Sequence, residues 1–221
     1  MSNLFGTDGI RGRVVLDECD DVGALQRIVE QRLLTPQLMK LLGEALGRCL
    51  PEGGKGNQIV IGWDNRPHNE TLVAWLTLGF HASDCTVIHI GCASTPMLHY
   101  AVLETNSRMG CMITASHNPV EDSGIKVFDA CGRKSMPEYE NFVSSMAYSL
   151  SEEEPTIEND IRETWMLPDE KHNVDHQDWL QRRLSLVRPL FKHEFSLSNP
   201  LRLDCSKGHA STWLSTWLEQ Q

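Results

Sequence analysis

The stretch that decides the fold is Ile113–Pro119, which reads Ile-Thr-Ala-Ser-His-Asn-Pro. The residues that lead into it, Met109–Thr114, are small or apolar and predict a buried strand. Ser116 is therefore expected at the carboxyl end of that strand. In an open α/β sheet, ligands bind at this edge.

Three reactive side chains follow this strand: the hydroxyl of Ser116, the imidazole of His117 and the amine of Lys126. A serine hydroxyl is a weak nucleophile until a base or a cation assists it. A phosphoserine carries a charge of about −1.5 to −2 that needs compensation. His117 and Lys126 could supply proton transfer and positive charge, although ordinary turn chemistry also explains a Ser-His-Asn-Pro sequence.

A second unusual stretch, Leu4–Gly12, reads Leu-Phe-Gly-Thr-Asp-Gly-Ile-Arg-Gly. Three glycines make it a poor helix and a poor strand, so we expect a shaped loop. The alternative is a loose, solvated amino-terminal arm.

Together these stretches resemble a known family. Phe5–Gly12 and Thr114–Pro119 resemble the opening and the phosphoserine loop of the α-D-phosphohexomutase superfamily, and most closely of its phosphoglucosamine mutase branch. Ile59–Arg66 is similar to the family's strand with an Asp-x-Arg turn, and Gly91–Pro96 to its Gly-x-x-x-Thr-Pro turn. The resemblance covers roughly residues 4–135.

The predicted fold is α/β: a mixed, mostly parallel sheet flanked by helices, because strands and helices alternate along the chain. The resemblance implies that residues 1–150 form the family's first domain with the phosphoserine loop. Residues 151–198 are then expected to be an acidic linker and a connecting helix, and 199–221 the truncated start of a second, similar domain. Helices are expected at 36–50, 69–82, 137–150 and 176–191, with another beginning near residue 96, and strands at 58–62, 85–91, 109–114, 124–128 and 201–205.

The resemblance implies a reaction. Phosphorylated Ser116 would donate its phosphoryl group to a hexosamine or hexose phosphate, and the other phosphoryl group of the resulting bisphosphate would return to the serine. The net change would interconvert glucosamine 6-phosphate and glucosamine 1-phosphate. Arg11 and Lys126 would steady phosphoryl oxygens, with Lys126 also a candidate general base, and His117 would position the transferred group.

The resemblance also implies supporting residues around this centre. Asp64 and Arg66 are expected to brace the loops as an ion pair, and the phosphate loop is expected to be supported by Thr7, Asp8, Gly9 and Asn118. Mg²⁺ would meet one ligand here, a phosphoryl oxygen on Ser116, because the sequence lacks the family's three-aspartate metal loop. Other departures are Ser123 in place of the usual asparagine, a longer connection between Gly12 and Thr35, and the acidic run after Leu150.

Two functional hypotheses follow. In the first, the chain is the phosphoryl-carrying part of a mutase that is inactive without the metal and sugar domains, which could come from a separate chain. In the second, it is a catalytically dead binding or regulatory module that keeps a phosphorylatable serine.

Composition narrows the class of protein. The formal net charge of −10 disfavours nucleic-acid binding, which needs a basic surface. The sequence has no run of 18 apolar residues, so we expect no membrane span. It also does not begin with a basic region followed by an apolar run, so we expect no secretory signal. A cytoplasmic location is therefore expected. Seven scattered cysteines without a Cys-x-x-Cys pair indicate reduced thiols.

Overall fold

The computed structural model describes residues 2–154, 170–190, 202, 204, 208–212 and 214–219. Six strands form one mixed sheet in the order β2-β1-β6-β5-β3-β4. The strands are β1 Ile10–Val14, β2 Leu33–Leu34, β3 Gln58–Trp63, β4 Thr86–Cys92, β5 Met109–Ile113 and β6 Asp122–Asp129. The helices are α1 Asp21–Gln31, α2 Pro36–Arg48, α3 Asn69–Ala82, α4 Thr95–Glu104, α5 Pro137–Leu150, α6 Glu170–Val187 and α7 Leu214–Glu219.

The predicted fold class is confirmed. Three of the five strand pairs are parallel, and β6 is antiparallel to both of its neighbours, β1 and β5. Apolar side chains of α2, α3 and α5 pack on one face of the sheet, and those of α4 pack on the other. The expected helices α2, α3 and α5 are present; α2 begins where Thr35 Oγ1 accepts a hydrogen bond from the Leu38 N–H at 3.1 Å.

The amino-terminal prediction was wrong for its last residues. Ile10–Val14 is a strand, not a loop, and it pairs antiparallel with β6, with Ile10 opposite Ile125. Ile10 is fully buried, so packing in the middle of the sheet outweighs the poor strand propensity of Gly12. Long-range pairing of this kind leaves no local signal in a glycine-rich sequence.

The connection between Gly12 and Thr35 contains two elements that the sequence predictions omitted, α1 and β2. Asp20 caps α1, its carboxylate accepting from the Gly23 N–H at 2.7 Å. Ala24, Leu25 and Ile28 bury one face of this helix. Their spacing, together with the aspartate cap, was a readable helix signal.

The carboxyl-terminal predictions are tested only in part. Helix α6 begins at Glu170, six residues before the expected start, and a 3₁₀ turn follows at Arg188–Leu190. The side of this segment that was expected to be apolar and packed is largely exposed to solvent: Leu184 and Val187 are 40% exposed and Leu190 is 76% exposed. Most of the acidic linker and of the expected strand at 201–205 lies outside the described residues.

Six of the seven cysteines lie in the described ranges, and none of them forms a disulfide. Burial raises the pKa of the Cys49 and Cys85 thiols to about 11, which keeps them unreactive. None of the helices in the described ranges has the length and apolar content needed to cross a bilayer.

Helices α2 and α3 cross at unusually close range. Gly43 of α2 and Gly79 of α3 face each other, and a methyl group at Gly79 would overlap the backbone carbonyl oxygen of Lys40. The contact holds α3, and with it the loop that precedes α3, against the rest of the core.

We predict that Gly79→Ala destabilises the fold. Glycine-to-alanine replacement in a helix interior normally gains about 0.8–1 kcal/mol from helix propensity. Here the added methyl group forces two backbones apart, and overpacking of this kind costs about 1–3 kcal/mol. Urea unfolding measures whether the free energy of unfolding falls or rises. Ser145→Ala on the exposed face of α5 is the control and should change stability by less than about 0.5 kcal/mol. A more stable Gly79→Ala variant would contradict the close crossing.

Candidate active site

Ser116 lies just beyond the carboxyl end of β5, as expected from the sequence. Its side chain is exposed, and its backbone is left-handed, with φ = +57°. This conformation is uncommon for a residue with a Cβ and persists only where the surroundings hold it.

Arg66 provides that hold by binding the backbone of the loop. Its Nη2 donates to the carbonyl oxygens of Ser116 at 2.6 Å and Asn118 at 3.1 Å. Its Nη1 donates to those of Pro119 at 2.5 Å and Asp122 at 3.0 Å. The side chain is only 9% exposed. One planar guanidinium therefore binds four carbonyl groups of the segment that joins β5 to β6.

Asp64 connects this guanidinium to the serine. The ion pair expected from the sequence is present, with Arg66 Nε 3.1 Å from Asp64 Oδ2. The same oxygen accepts a hydrogen bond from Thr114 Oγ1 at 2.6 Å, and Thr114 Oγ1 accepts one from the Ser116 N–H at 2.9 Å. Thr114, absent from the sequence-based candidates, thus links the ion pair to the Ser116 backbone.

Asn69 and Ser123 form a buried support that sequence reasoning missed. The Asn69 side-chain amide donates to Asp64 Oδ1 at 2.7 Å and to the Ile113 carbonyl at 3.2 Å. It accepts from Ser123 Oγ at 2.5 Å. Both residues are at most 1% exposed. The serine that replaces the family's usual asparagine therefore has a defined structural partner. Most of these partners are distant in the sequence, so no local motif marks them.

The Asp8 carboxylate forms ion pairs with three cationic side chains from separate parts of the chain. Its Oδ2 lies 2.7 Å from Lys126 Nζ and 2.5 Å from Arg11 Nη2, and its Oδ1 lies 3.6 Å from Lys134 Nζ. The hydrogen bond from Lys126 is the main reason that the pKa of Asp8 is lowered, followed by the charges of Lys126, Arg11 and Lys134. Lys134, which also donates to the Thr7 carbonyl, was not predicted.

Arg11 connects this cation cluster to the serine loop. Its Nη1 donates to the Ala115 carbonyl at 3.2 Å and to Asn118 Oδ1 at 3.0 Å, and its Nη2 lies 3.4 Å from Ser116 Oγ. Its buried Nε has no hydrogen-bond partner among the described residues. Arg11 and Lys126 therefore share the Asp8 carboxylate, with Arg11 in contact with the serine hydroxyl.

A cavity of about 680 Å³ opens beside these residues. His117 is exposed and lines it, as do Thr7, Gly9 and Asn118. Gly9 has φ = +86°, and a side chain there would overlap the Ile125 backbone, so this position requires glycine. The structure thus brings the sequence-predicted residues to one edge of the sheet.

The residues of this site do not fit Mg²⁺ by themselves. In the part of the chain that the structure describes, no group of three or more His, Cys, Asp or Glu side chains could hold a metal ion. The Asp8 carboxylate is already bound by cations. Mg²⁺ prefers about six oxygen ligands in octahedral geometry. A phosphoryl group on Ser116 would add only one such ligand position from this chain.

An exposed hydroxyl held in a fixed backbone conformation beside Arg11, which shares the Asp8 carboxylate with Lys126, suits a dianionic phosphoryl group. The fold and the site therefore define an α/β domain of the phosphohexomutase type. The chain belongs to the phosphoglucomutase/phosphomannomutase family, whose α/β/α domain I matches residues 2–154.

Relatives agree with this placement. A phosphoglucosamine mutase of Koribacter versatilis is 31% identical over 96% of this chain and 41% of its own length. One of Corynebacterium jeikeium is 33% identical over 96% of this chain and 42% of its own. The crystal structure of a putative phosphomannomutase from Thermus thermophilus superposes with a TM-score of 0.62 at 26% identity, covering 82% of this chain and 36% of that one. The chain spans about two fifths of these relatives' length.

We predict that Arg66→Lys loosens the serine loop. A lysine ammonium has three donors on a flexible stem and cannot satisfy four carbonyl groups in one plane. Amide hydrogen exchange should quicken at Asn118 and Asp122, whose N–H groups close turns within the loop. Arg133→Lys is the matched control, because Arg133 pairs with Asp129 on the surface. Unchanged exchange at both amides in Arg66→Lys would show that the loop holds its own shape.

Proposed function

We propose that this chain is the phosphoryl-carrying part of a phosphohexomutase, with Ser116 as the residue that carries the phosphoryl group. The observation that supports this most directly is the position of Ser116 Oγ 3.4 Å from Arg11 Nη2, in a loop fixed by Arg66. Phosphoryl transfer depends mainly on positioning and on stabilising charge at the phosphoryl oxygens. The site supplies a fixed serine backbone and two nearby cations.

The proposed reaction has two transfers. In the first, the bond from phosphorus to Ser116 Oγ breaks and a bond forms to the 1-hydroxyl oxygen of glucosamine 6-phosphate; that hydroxyl loses its proton, and Ser116 Oγ takes one up to become a hydroxyl. The bisphosphate then turns around. In the second transfer, the bond from phosphorus to the 6-oxygen breaks and a bond forms to Ser116 Oγ; the serine hydroxyl loses its proton and the 6-oxygen takes one up, which leaves glucosamine 1-phosphate and a phosphoserine ready for the next cycle.

Arg11 and Lys126 are proposed to stabilise the phosphoryl oxygens during both transfers. Each is paired with Asp8, so an arriving phosphoryl group competes with that carboxylate for the same cations. A general-base role for Lys126 would first require the ion pair with Asp8 to break and the ammonium to lose its proton. His117, exposed at the cavity, is proposed to position the transferred group.

The choice of glucosamine over glucose or mannose rests on the relatives, since those named phosphoglucosamine mutase match most of this chain. We further propose that Mg²⁺ binding and sugar binding need parts of the protein beyond the residues of this site. The domain alone is then expected not to catalyse the reaction. A cytoplasmic location fits the free thiols of the described cysteines.

We predict that Ser116 is the acceptor of the phosphoryl group. After incubation with a hexose 1,6-bisphosphate, intact-mass measurement should show the gain of one phosphoryl group, and peptide mapping should place it on Ser116. Ser116→Ala should stay unmodified, while Ser145→Ala, which removes an exposed serine on α5, should be modified like the natural chain. Phosphate on any other residue would refute the assignment.

We predict negligible mutase turnover by the purified chain on glucosamine 6-phosphate with Mg²⁺ and a bisphosphate activator. The reason is the lack of a metal-ligand cluster among the described residues. A coupled assay for the formation of glucosamine 1-phosphate measures the turnover. Turnover that disappears in Ser116→Ala would show that the chain is sufficient for catalysis.

A further inference from the structure

One member of the cation cluster around Asp8 has no part in the proposed reaction. Arg11 and Lys126 are proposed to stabilise phosphoryl oxygens, and both contact Asp8 Oδ2, at 2.5 and 2.7 Å. Lys134 is the third cation, and its Nζ lies 3.6 Å from Oδ1, the other carboxylate oxygen. The two proposed transfers give Lys134 no function.

The turn that follows β6 fixes the backbone of Lys134. The residues on either side of it are hydrogen-bonded to β6: the Arg133 carbonyl accepts from the Asp129 N–H at 2.8 Å, and the Ser135 N–H donates to the Val127 carbonyl at 2.9 Å. Strand β6 also carries Lys126. The two lysines therefore project from one hydrogen-bonded unit, and each contacts a different oxygen of Asp8.

Lys134 also holds the backbone of the turn that carries Asp8. The Gly6 N–H donates to the Gly9 carbonyl at 2.8 Å and closes this turn, so Thr7 and Asp8 lie at its tip. The Lys134 ammonium donates to the Thr7 carbonyl. One side chain thus contacts both tip residues. The attachment of the turn to β6 therefore does not depend on the contacts of Asp8 with other cations.

The charges of this cluster divide into two neutral groups once a phosphoryl group is present. Three cations surround one carboxylate, which leaves two positive charges in excess. A phosphoserine carries a charge of about −1.5 to −2. With a phosphoryl group on Ser116, Arg11 and Lys126 balance that group, and Lys134 balances Asp8.

Asp8 and Lys134 have the freedom to form this pair. Their side chains are 43% and 37% exposed, so neither has to cross the core to approach the other. A carboxylate that lost Arg11 and Lys126 and found no other cation would stay close to the phosphoryl group, and like charges repel. Lys134 is the remaining cation within 4 Å of Asp8 among the described residues.

We propose that Lys134 is a positioning residue for the phosphoryl group: it takes the Asp8 carboxylate when that group displaces it from Arg11 and Lys126. In this way Lys134 keeps a competing negative charge away from the phosphoserine, and it acts on the phosphoryl group only through Asp8. The inference rests on the proposed function for the identity of the incoming anion.

The experiment measures how firmly the phosphoryl group is held. Phosphoserine is incorporated at position 116 of the full chain by genetic encoding, and intact mass follows its removal by a nonspecific alkaline phosphatase. The removal rate follows the fraction of phosphoryl groups released from the cations, as proteolysis follows an open state. Lys134→Gln should speed removal about twofold to fivefold, in line with one exposed ion pair. Lys134→Arg keeps the charge and should preserve the slow rate.

A double-mutant cycle with Asp8 separates this role from a merely structural one. In the Asp8→Asn background no carboxylate remains to be held, so Lys134→Gln should change the removal rate by less than about 1.5-fold. Equal acceleration in both backgrounds would show that Lys134 acts independently of Asp8. No acceleration in either background would show that Asp8 needs no new partner. Each of these two results would overturn the proposal.

Arg133→Gln is the matched control. It removes the same charge one residue earlier, where the guanidinium pairs with Asp129 at 2.9 Å and the side chain is 76% exposed. It should leave the removal rate unchanged, and an acceleration equal to that of Lys134→Gln would also overturn the proposal. Whether Ser116 accepts a phosphoryl group is measured by mass on the natural chain without the phosphatase. Failure of the Lys134 role and failure of the phosphoserine assignment are therefore distinguishable.

Discussion

The site depends on the buried guanidinium of Arg66. A loop that leaves a strand and turns sharply has carbonyl groups without strand partners, and burying them unpaired would be costly. Arg66 binds three carbonyl groups of this loop and that of Asp122 at the start of β6, and Asp64 fixes its orientation while also holding Thr114. This arrangement lets Ser116 keep a left-handed backbone with its hydroxyl exposed. Because the support lies beneath the loop, the side facing the cavity is free for a ligand.

The second constraint is electrostatic. Arg11 and Lys126 lie on neighbouring antiparallel strands, and without an anion between them their charges would repel. Asp8 separates them, and the pairing lowers the pKa of its carboxyl. The carboxylate is about half exposed, so its contribution to stability is small; it is present above the ordinary aspartate pKa and is lost as the pH falls through the lowered value. Asp8 is thus an internal anion between the two cations, and in the proposed reaction it is the anion that a phosphoryl group would replace.

Sequence reasoning found the parts of the site whose signals are local. The apolar run Met109–Ile113 and the turn residues after it defined the strand and its loop, and the Asp64–Arg66 pair is two residues apart. It missed Asn69 and Ser123, which lie 54 residues apart and matter only because α3 and β6 meet under the loop. It also misread β1, since antiparallel pairing with β6 is a long-range property that the glycine-rich sequence does not encode locally.

The longer connection between Gly12 and Thr35 supplies the wall of the cavity that lies away from Ser116. Without α1 and β2, β1 would be the edge of the sheet, and nothing would stand beside Arg13. Ala24, Leu25 and Ile28 anchor α1 in the core, and β2 adds one parallel strand outside β1. The end of α1 is then fixed beside Arg13, with Gly12 permitting the close approach. A segment that looks like an insertion in the family pattern thereby adds positive charge to the wall of the cavity next to the loop that carries Ser116.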